Sequence, residues 1–309
     1  MKTPTQEANP YTNNKTKAWF IRKFENHFSK SLLSDAAYLK IEYWLKTGEK
    51  LNLKNPVLFN EKIQWLKLND RQPEYPNLAD KYEVRDYVAK TIGEKYLIPV
   101  YGVWDTFDEI PFDKLPDQFV LKCTHDSGSV IICKDKQSLD MEKTRKHFKR
   151  RLARNWYWRS RQWVYKNLKP RIIAEKLLVD ETNAVPKDYK FFCFNGEPKM
   201  IAVNCDRFTE PKVNFYSLKW ELQPFAVIGQ PTASDIHLEK PESLGLMIDL
   251  ARKLSAQKPH VRVDFYYVNK AVYFGEITFY HAEGHLRFDP PEWNKTFGDW
   301  MKLPKKETP

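Results

Sequence analysis

Two acidic side chains stand among apolar residues in the stretch VRVDFYYVNKAVYFGEITFYHAEG, which spans residues 261–284. The stretch is typical of two aromatic-rich strands around a short turn, with Asp264 on the first strand and Glu276 on the second. A strand of this kind buries at least one face, and a buried carboxylate is costly unless a cation meets it. The pattern therefore indicates a cation beside both carboxylates.

Two kinds of cation could fill this place. Arg262 shares a strand face with Asp264, because side chains alternate along a strand, and it could form a structural salt bridge. A metal ion is the alternative, and oxygen ligands with no cysteine nearby suit Mg²⁺ or Mn²⁺ bridged to phosphates. A two-residue turn at Asn269 and Lys270 would put the carboxylates on opposite faces of the hairpin. We therefore predict a loop of three or five residues, which would put them on the same face.

A candidate phosphate-binding loop occurs in FVLKCTHDSGSVIICK. Lys122 ends an apolar strand just before a polar turn that contains Ser127, Gly128 and Ser129. An ammonium group there can face phosphate oxygens, and a glycine lets backbone N–H groups approach them. The loop does not match the Walker pattern, so an ordinary hairpin with an exposed lysine is the alternative. His125 in the same loop could contact a transferred phosphoryl group or face solvent.

Two further segments carry paired charges. In RIIAEKLLVDE, Glu175 and Lys176 close a strand, and Leu178 follows shortly after. Such a segment can offer a carboxylate and backbone groups to adenine while its leucines cover the ring. In KDYKFFCF, Asp188 and Lys190 share one strand face, and Lys190 could reach a terminal phosphate. Surface salt bridges are the alternative for both segments.

The elements that position these residues change in character along the chain. Residues 17–70 have helical periodicity, prolines within 71–77 mark a boundary, and 78–93 predict a further helix. Short apolar strands follow, with a hairpin predicted at Asn195-Gly196, and 240–256 predict a helix before the opening hairpin. The order predicts a helical N-terminal part followed by an α+β fold with mostly antiparallel strands.

Composition limits the class of protein. The chain has 309 residues, 42% of them hydrophobic and 15% aromatic, which is typical of a folded globular protein. No window of 18 residues is apolar and uncharged, and the N-terminus has no hydrophobic signal region, so we expect a cytoplasmic protein. The four cysteines form no CxxC pair and are interpreted as reduced core residues.

The net charge of +11 is concentrated in one segment. Residues 143–171 contain twelve Lys or Arg, no acidic residue, and five interleaved Trp or Tyr. An anionic partner such as a nucleotide, an acidic glycan or a lipid headgroup would explain this segment. A solvated helix face with its aromatic residues on the core is the alternative. Charge without a recognisable nucleic-acid-binding motif does not predict a nucleic-acid partner.

The order of these motifs resembles that of the ATP-grasp superfamily and, within it, the TupA-like ATP-grasp family of capsule and teichuronopeptide biosynthesis. The similar blocks are FNEKIQWLKLNDR, DKYEVRDYVAKTIGEKYLIPVYGVW, VLKCTHDSGS, KPRIIAEKLL, DYKFFCFNGEPKMI and VRVDFY…YFGEITFYHAEG. Together they extend over about residues 50–303. The resemblance implies two α+β subdomains that grip ATP, and we expect a helical region at 1–72 and subdomains at 73–180 and 181–309.

The resemblance also implies roles for individual residues. The ATP contacts it implies, together with those proposed above, are Lys81, Lys122, Ser127, Gly128, Ser129, Glu175, Lys176, Leu178, Asp188 and Lys190. The implied metal ligands, for Mg²⁺ or Mn²⁺, are Asp264, Glu276 and Thr278, the last standing where many ATP-grasp enzymes have a metal-binding Asn. Catalytic roles fall to Arg262 and Lys190, and substrate contacts to Arg207, His281 and Gly284.

The expected activity is that of an ATP-dependent carboxylate–amine ligase that forms an amide through an acyl phosphate. We expect the acid to be a hexuronic acid of a surface polysaccharide or its precursor, and the amine an amino acid or small peptide. A glycosyltransferase is one alternative, although the chain has no DxD or GxGxxG motif. A non-catalytic protein that binds anionic glycan or membrane surfaces is the other alternative. The enzyme itself could also be associated with the inner face of the membrane.

Overall fold

The computed structural model describes residues 15–28, 33–180, 186–205, 212–232 and 238–305. The α-helices in these ranges are α1 (Lys15–Phe28), α2 (Asp35–Thr47), α3 (Phe59–Asn69), α4 (Tyr75–Ala79), α5 (Val84–Thr91), α6 (Met141–Leu152), α7 (Trp156–Ser160), α8 (Leu244–Ser255) and α9 (Glu292–Trp300). Short 3₁₀ turns lie at Glu94–Tyr96, Phe107–Glu109, Phe112–Lys114, Trp163–Tyr165 and His281–Gly284.

The strands form two larger sheets and one small pair. They are β1 (Val100–Trp104), β2 (Phe119–Cys123), β3 (Ile131–Cys133), β4 (Ile172–Lys176), β5 (Lys187–Phe194), β6 (Glu197–Cys205), β7 (Lys212–Tyr216), β8 (Ala226–Val227), β9 (His260–Val268), β10 (Ala271–Thr278) and β11 (Phe288–Asp289). The strand orders are β1-β4-β2-β3, β10-β9-β5-β6-β7 and β11-β8. Every described pairing is antiparallel. The predicted α+β class with mostly antiparallel sheets is confirmed.

Each of the larger sheets has its own hydrophobic cluster. In the four-stranded sheet, Phe119 and Ile172 pack with Phe148 of α6. In the five-stranded sheet, one face, which includes Phe191 and Val263, packs against α8. Since side chains alternate along each strand, the opposite face carries Lys190 and Asp264, with the buried ring of Phe192 beside them.

The N-terminal part is helical, as predicted, but it is divided into separate helices. Helix α2 begins after Ser34, whose hydroxyl accepts a hydrogen bond from the backbone N–H of Ala37 at 3.3 Å. It ends at Gly48, which has φ +83°, a conformation that favours glycine. The described part of the chain contains no helix long and apolar enough to cross a membrane.

The single helix predicted for residues 78–93 is wrong. The chain leaves the helical path between α4 and α5, where Asp80 Oδ1 accepts hydrogen bonds from the backbone N–H groups of Tyr82 and Glu83. The backbone N–H of Lys81 instead bonds to the carbonyl of Thr124 on the candidate phosphate loop. A side chain that bonds nearby backbone groups competes with helix formation, and here the break directs Lys81 toward that loop.

Candidate active site

Three charged side chains from neighbouring strands lie side by side on the polar face of the five-stranded sheet. Lys190 of β5 is directly opposite Asp264 of β9, and Asp264 is directly opposite Glu276 of β10. Lys190 Nζ lies 2.7 Å from Asp264 Oδ2. Lys190 also bonds to Asp188, two residues earlier on the same strand face. We call Lys190, Asp264 and Glu276 the site row.

The odd-numbered loop predicted for the β9–β10 hairpin is wrong. Asn269 and Lys270 form a two-residue turn, and both have positive φ, 50° and 62°. The register then shifts within β10, where Gly275 is an extra residue without a partner on β9. This β-bulge returns Glu276 to the face of Asp264, so the carboxylates share a face although the turn is even-numbered.

Arg262 joins the two carboxylates of the site row. Its Nε and Nη2 atoms each lie 2.7 Å from one oxygen of Asp264, and Nη2 also lies 2.8 Å from Glu276 Oε1. Its Nη1 atom lies 2.6 Å from His281 Nδ1. The Thr278 hydroxyl donates to the same Glu276 oxygen at 3.2 Å. The guanidinium therefore offsets the repulsion between the paired acids.

The protonation states in this cluster follow from burial and neighbouring charge. Burial favours the neutral form of Glu276, but Lys81 first, and then Arg262 and Lys190, outweigh it and lower the pKa to about 2. Lys81 Nζ is 4.0 Å from Glu276 Oε2. Burial, followed by the charge of Arg262, lowers the pKa of His281 well below its usual value. His281 is therefore neutral, and its Nδ1 accepts the hydrogen bond from Arg262.

The oxygen atoms of this cluster fit a hard divalent cation. Asp264, Glu276 and Thr278 offer carboxylate and hydroxyl oxygens, the ligands that Mg²⁺ and Mn²⁺ prefer. The Asp264 side chain is only 3% exposed and already accepts hydrogen bonds from Arg262 and Lys190, whereas the Glu276 side chain is 35% exposed. Glu276 Oε2 is therefore the carboxylate oxygen of this pair that an incoming ion can reach most directly.

A second ion pair lies on the four-stranded sheet. Lys122 Nζ of β2 lies 2.6 Å from Glu175 Oε2 of β4, and both side chains are largely buried. The backbone N–H of Lys176 donates to the carbonyl of Pro99 at 2.9 Å, so that donor is already used. Leu178 is half-buried beyond the end of β4. The contacts predicted between adenine and Lys176 or Leu178 stay predictions.

The candidate phosphate loop between β2 and β3 is braced from the inside. The Ser129 hydroxyl donates to Asp126 Oδ1 at 2.6 Å and accepts from a backbone N–H of β2 at 2.7 Å. Lys81 Nζ donates to the Asp126 carbonyl. Ser127 and Gly128 form the exposed tip, and Gly128 has φ +80°. The tip residues are therefore accessible to a ligand, whereas the side chain of Ser129 is already hydrogen-bonded within the loop.

Arg151 is a loop-bracing residue that the sequence reasoning missed. Its Nε lies 2.6 Å from Asp126 Oδ2, and its Nη2 donates to the Ser127 carbonyl. The signal was present in the helical period, because Thr144, Phe148 and Arg151 are the buried positions of α6. An arginine on the same helix face as a core phenylalanine indicates a buried role, which the overall charge of the segment conceals.

The turn after β10 is held by buried side chains of the N-terminal helices. Ala282 and Glu283 both have positive φ, 48° and 57°, which is costly for residues other than glycine. Lys67 Nζ and Gln64 Nε2 of α3 each donate to the Glu283 carbonyl at 2.9 Å. These bonds fix the turn, and the turn carries His281 to Arg262.

The Glu283 side chain enters a further buried cluster, which we call the Lys46 network. Lys46 Nζ lies 2.8 Å from Glu283 Oε2, 2.8 Å from Glu42 Oε1 and 3.0 Å from Glu25 Oε1. Oxygen atoms of the three acids lie within 4.8 Å of one another, a spacing that could hold a metal ion. The ammonium of Lys46 lies among them instead, so we interpret the network as structural.

The predicted substrate residue Gly284 is held by the N-terminal helices and is not part of the site row. Gly284 is packed against α3, where an added Cβ would lie 2.7 Å from Ile63 Cγ2 and Gln64 Nε2, and its φ is +70°. Packing and backbone conformation therefore both require glycine there. Arg207 lies outside the described residues.

Comparison with known proteins gives one family match and several distant structural matches. The family described as TupA-like ATPgrasp matches residues 61–302. No curated protein matches the chain. A D-alanine–D-alanine ligase from Bacillus anthracis, solved with ATP, is similar at 16% identity and a TM-score of 0.38, over 66% of this chain and 54% of that chain.

Two further solved structures are similar at the same low level. An L-amino acid ligase from Bacillus licheniformis is 14% identical with a TM-score of 0.42, over 81% of this chain and 55% of that one. The ATP-grasp ligase PsnB, solved with a minimal precursor, Mg and ADP, is 10% identical with a TM-score of 0.36, over 67% and 52%. The matched part of this chain therefore spans only about half the length of each of these proteins.

Proposed function

This chain belongs to the TupA-like ATP-grasp family, as its motifs predicted, and from that premise we propose that it is an ATP-dependent carboxylate–amine ligase. It has the ATP-grasp fold of that family. The proposed reaction joins a hexuronic acid of a surface polysaccharide, or of its precursor, to an amino acid or small amine. The observation that carries the proposal is the site row with Arg262, which sets two carboxylates and two cations on one sheet face.

ATP is proposed to contact residues of both larger sheets. Lys81 and Lys122 would contact its phosphates, the tip at Ser127 and Gly128 would cover them, and Glu175 would accept from the adenine amino group. Lys122 and Glu175 now bond to each other at 2.6 Å. Nucleotide binding would therefore replace this buried ion pair with contacts to the ligand. Lys122 and Glu175 would then each keep a partner.

Asp264, Glu276 and Thr278 are proposed to hold Mg²⁺ or Mn²⁺. When bound, the ion supplies positive charge to the β- and γ-phosphates. Lys190, which is bonded to Asp264, would carry further positive charge on the same face of the sheet. Asp188 would act through Lys190, because its carboxylate holds that ammonium from the other side.

The proposed chemistry has two steps. An oxygen of the acid attacks the γ-phosphorus of ATP, the bond from that phosphorus to the bridging oxygen breaks, and ADP leaves. The amine then attacks the acyl carbon, the bond from that carbon to the phosphate oxygen breaks, and the surplus proton passes from nitrogen to solvent. Arg262 would stabilise the acyl phosphate and the tetrahedral oxyanion, and neutral His281 would orient its guanidinium.

The acidic nature of the substrate is supported by charge outside the sheet. Residues 143–171, with Arg207, would hold the acidic glycan by its carboxylates. Proposed boundaries at 72/73 and 180/181 would then leave this basic segment in the subdomain that also carries the candidate phosphate loop.

The test is an assay of ADP release with a panel of uronates and amines. We expect release to depend on both co-substrates and on Mg²⁺, and we expect a Glu276→Gln variant to lose this activity. A matched control is Glu292→Gln, an exposed acid at the start of α9. ADP formed with neither co-substrate, or full activity in Glu276→Gln, would contradict the proposal.

A binding measurement separates this function from a glycosyltransferase. Thermal unfolding is followed with MgATP and, separately, with nucleotide sugars. We expect MgATP to raise the midpoint, because a ligand that binds only the folded state stabilises it. A rise with nucleotide sugars and none with MgATP would favour the glycosyltransferase, and no rise with either would favour a protein that only binds anionic surfaces.

A further inference from the structure

The outward faces of α1 and α2 carry large apolar side chains that the protein leaves exposed. Trp44 is 58% exposed, Phe20 55% and Trp19 53%, which makes them the three most exposed large apolar side chains in the described part of the chain. Ile41, about one turn before Trp44, is exposed as well. Single exposed apolar residues are ordinary on a protein surface, but a group of them on neighbouring helices is typical of an interaction surface.

The two helices are in direct contact, and the contact uses only one side of α1. Glu25 Oε1 of α1 lies 3.0 Å from Lys46 Nζ of α2, and the ring centroids of Phe24 and Tyr38 are 5.0 Å apart. Ile21, one turn before Glu25, is buried. Residues four positions apart lie on the same side of a helix, so these contacts hold α1 in place and leave its other side exposed.

The charges of these two helices are sorted by sign. Their three acids are all paired with cations of the protein itself, Glu25 and Glu42 with Lys46, and Asp35 with Arg71. The charged side chains that are exposed on the described part of the two helices are all basic, namely Arg22, Lys23 and Lys40. The outward faces therefore combine apolar rings with positive charge.

This combination suits the surface of an anionic lipid bilayer. Lys23 Nζ lies 5.4 Å from the ring centroid of Trp19, and the rings of Trp19 and Phe20 are 5.0 Å apart, edge to face. Tryptophan is enriched at the level of the lipid headgroups, and basic residues beside it attract anionic lipids. A second copy of the chain is a poorer partner, because a two-fold axis would bring the same basic residues together.

We propose that the outward faces of α1 and α2 dock the protein on an anionic lipid bilayer. The rings of Trp19 and Trp44 would lie among the headgroups, and the three exposed basic residues would contact lipid phosphates. The same helices reach the turn after β10 through the Lys46 network, so the docking surface is connected to an element that borders the site row. The docking goes beyond the proposed ligase function and does not depend on it.

The test measures vesicle binding in the absence of ATP and substrates. The full-length protein is sedimented with vesicles of phosphatidylcholine alone and with vesicles in which about a third of the lipid is phosphatidylglycerol. We expect Trp19→Gln/Trp44→Gln to weaken binding to the anionic vesicles by about tenfold for each ring, or about a hundredfold in all. We expect Arg22→Gln/Lys23→Gln to weaken it by about fivefold for each charge, or about thirtyfold in all.

Two double variants serve as matched controls. Lys143→Gln/Lys146→Gln removes the same charge from exposed positions of α6, in the most basic segment of the chain. Leu222→Gln/Leu246→Gln removes two apolar side chains that are exposed elsewhere on the protein. We expect less than about a threefold change in vesicle binding for either control, and an unchanged thermal midpoint for all four variants, because substitutions at exposed positions change stability little.

Four other results decide the proposal. An equal loss in Lys143→Gln/Lys146→Gln would show unspecific attraction of a basic protein to an anionic surface and would overturn it. Equal binding of the wild type to both kinds of vesicle would also overturn it. A wild-type dimer that Trp19→Gln/Trp44→Gln dissociates would assign the surface to a second copy instead. Tryptophan-dependent vesicle binding without any uronate-dependent ADP release would support the docking surface while contradicting the ligase function.

Discussion

Two buried networks of charged side chains meet at the turn after β10, and they treat their carboxylates differently. In the site row, a guanidinium bridges Asp264 and Glu276 from one side, and the Glu276 side chain keeps 35% exposure. In the Lys46 network, an ammonium with no exposed surface lies among three acids. The first arrangement leaves an oxygen for an incoming cation, whereas the second already contains its cation.

The difference shows why the composition of a cluster does not by itself indicate a metal site. Both clusters contain three carboxylates when Asp188 is counted with the site row, and both contain lysine. The spacing of oxygens in the Lys46 network would suit an ion, but its centre is filled. Access and the position of the cation, rather than the number of acids, separate the site we propose to be catalytic from a structural one.

The largest expected effect comes from Asp264→Asn. This change removes the charge at the centre of the site row, so we expect ligation to fall by about a thousandfold, as when a positioned electrostatic group is lost. The thermal midpoint should change little, because Arg262 would still pair with Glu276 and Lys190 would still pair with Asp188. ADP release and thermal unfolding measure the two quantities, and Asp249→Asn on α8 is the control. A large loss of stability with activity retained would reverse the comparison.

Lys46→Met should mainly reduce stability, whereas Asp264→Asn should mainly reduce ligation. Removing one partner of a buried ion pair leaves uncompensated charge, and here three acids lose their ammonium, so we expect the free energy of unfolding to fall by about 3–5 kcal/mol. Urea unfolding measures this loss, and Lys40→Met, at an exposed position of the same helix, is the control. Stability within about 1 kcal/mol of the wild type, a small fraction of the typical total, would show that the network is not structural.

The free energy of unfolding should depend on pH through Glu283, the acid of the Lys46 network that lies in the turn after β10. Burial opposes ionisation there, but Lys46 and then Arg159 outweigh it and lower the pKa from 4.5 to about 2. Between these values the unfolded chain binds more protons than the folded one, so stability falls as the pH falls through this window. We expect a smaller slope for Glu283→Gln than for the wild type in urea unfolding between pH 2.5 and 5. Equal slopes would contradict the assignment.

The smallest effect is expected at the bulge. An added Cβ at Gly275 would lie 3.1 Å from the Asp264 carbonyl oxygen and 3.3 Å from the Tyr266 ring. We expect Gly275→Ala to cost about 1 kcal/mol of stability, the lower end for overpacking, and to reduce ligation several-fold because Glu276 shifts. Urea unfolding and ADP release measure both effects, with Gly245→Ala, which has open space around it, as the control. A loss of stability with unchanged ligation would show that the bulge does not position Glu276 for the reaction.

The faces of the strands could be predicted from the sequence, but the register could not. Alternation along β5 and β9 correctly placed Asp188 with Lys190 and Arg262 with Asp264, since that period is a local property of the backbone. The bulge at Gly275 was missed, because a glycine inside a strand is compatible with a bulge but does not require one. Register depends on the partner strand, which local spacing does not specify.

Contacts between distant parts of the chain were beyond sequence reasoning for a different reason. Lys46 and Glu283 are separated by 237 positions, and nothing near either residue indicates the other. Arg151 was within reach, because its helical spacing with Phe148 predicts burial. The high positive charge of its segment instead favoured a position on the surface.

The Lys46 network has a practical consequence for anyone who shortens this chain. A fragment cut at the family boundary would begin at Glu61 and would retain the whole site row and Arg262. It would also lack Lys46, leaving Glu283 without that buried partner in the turn that presents His281. Expression trials and domain exchanges should therefore start at or before α1, even though the first helices contribute no residue to the site row.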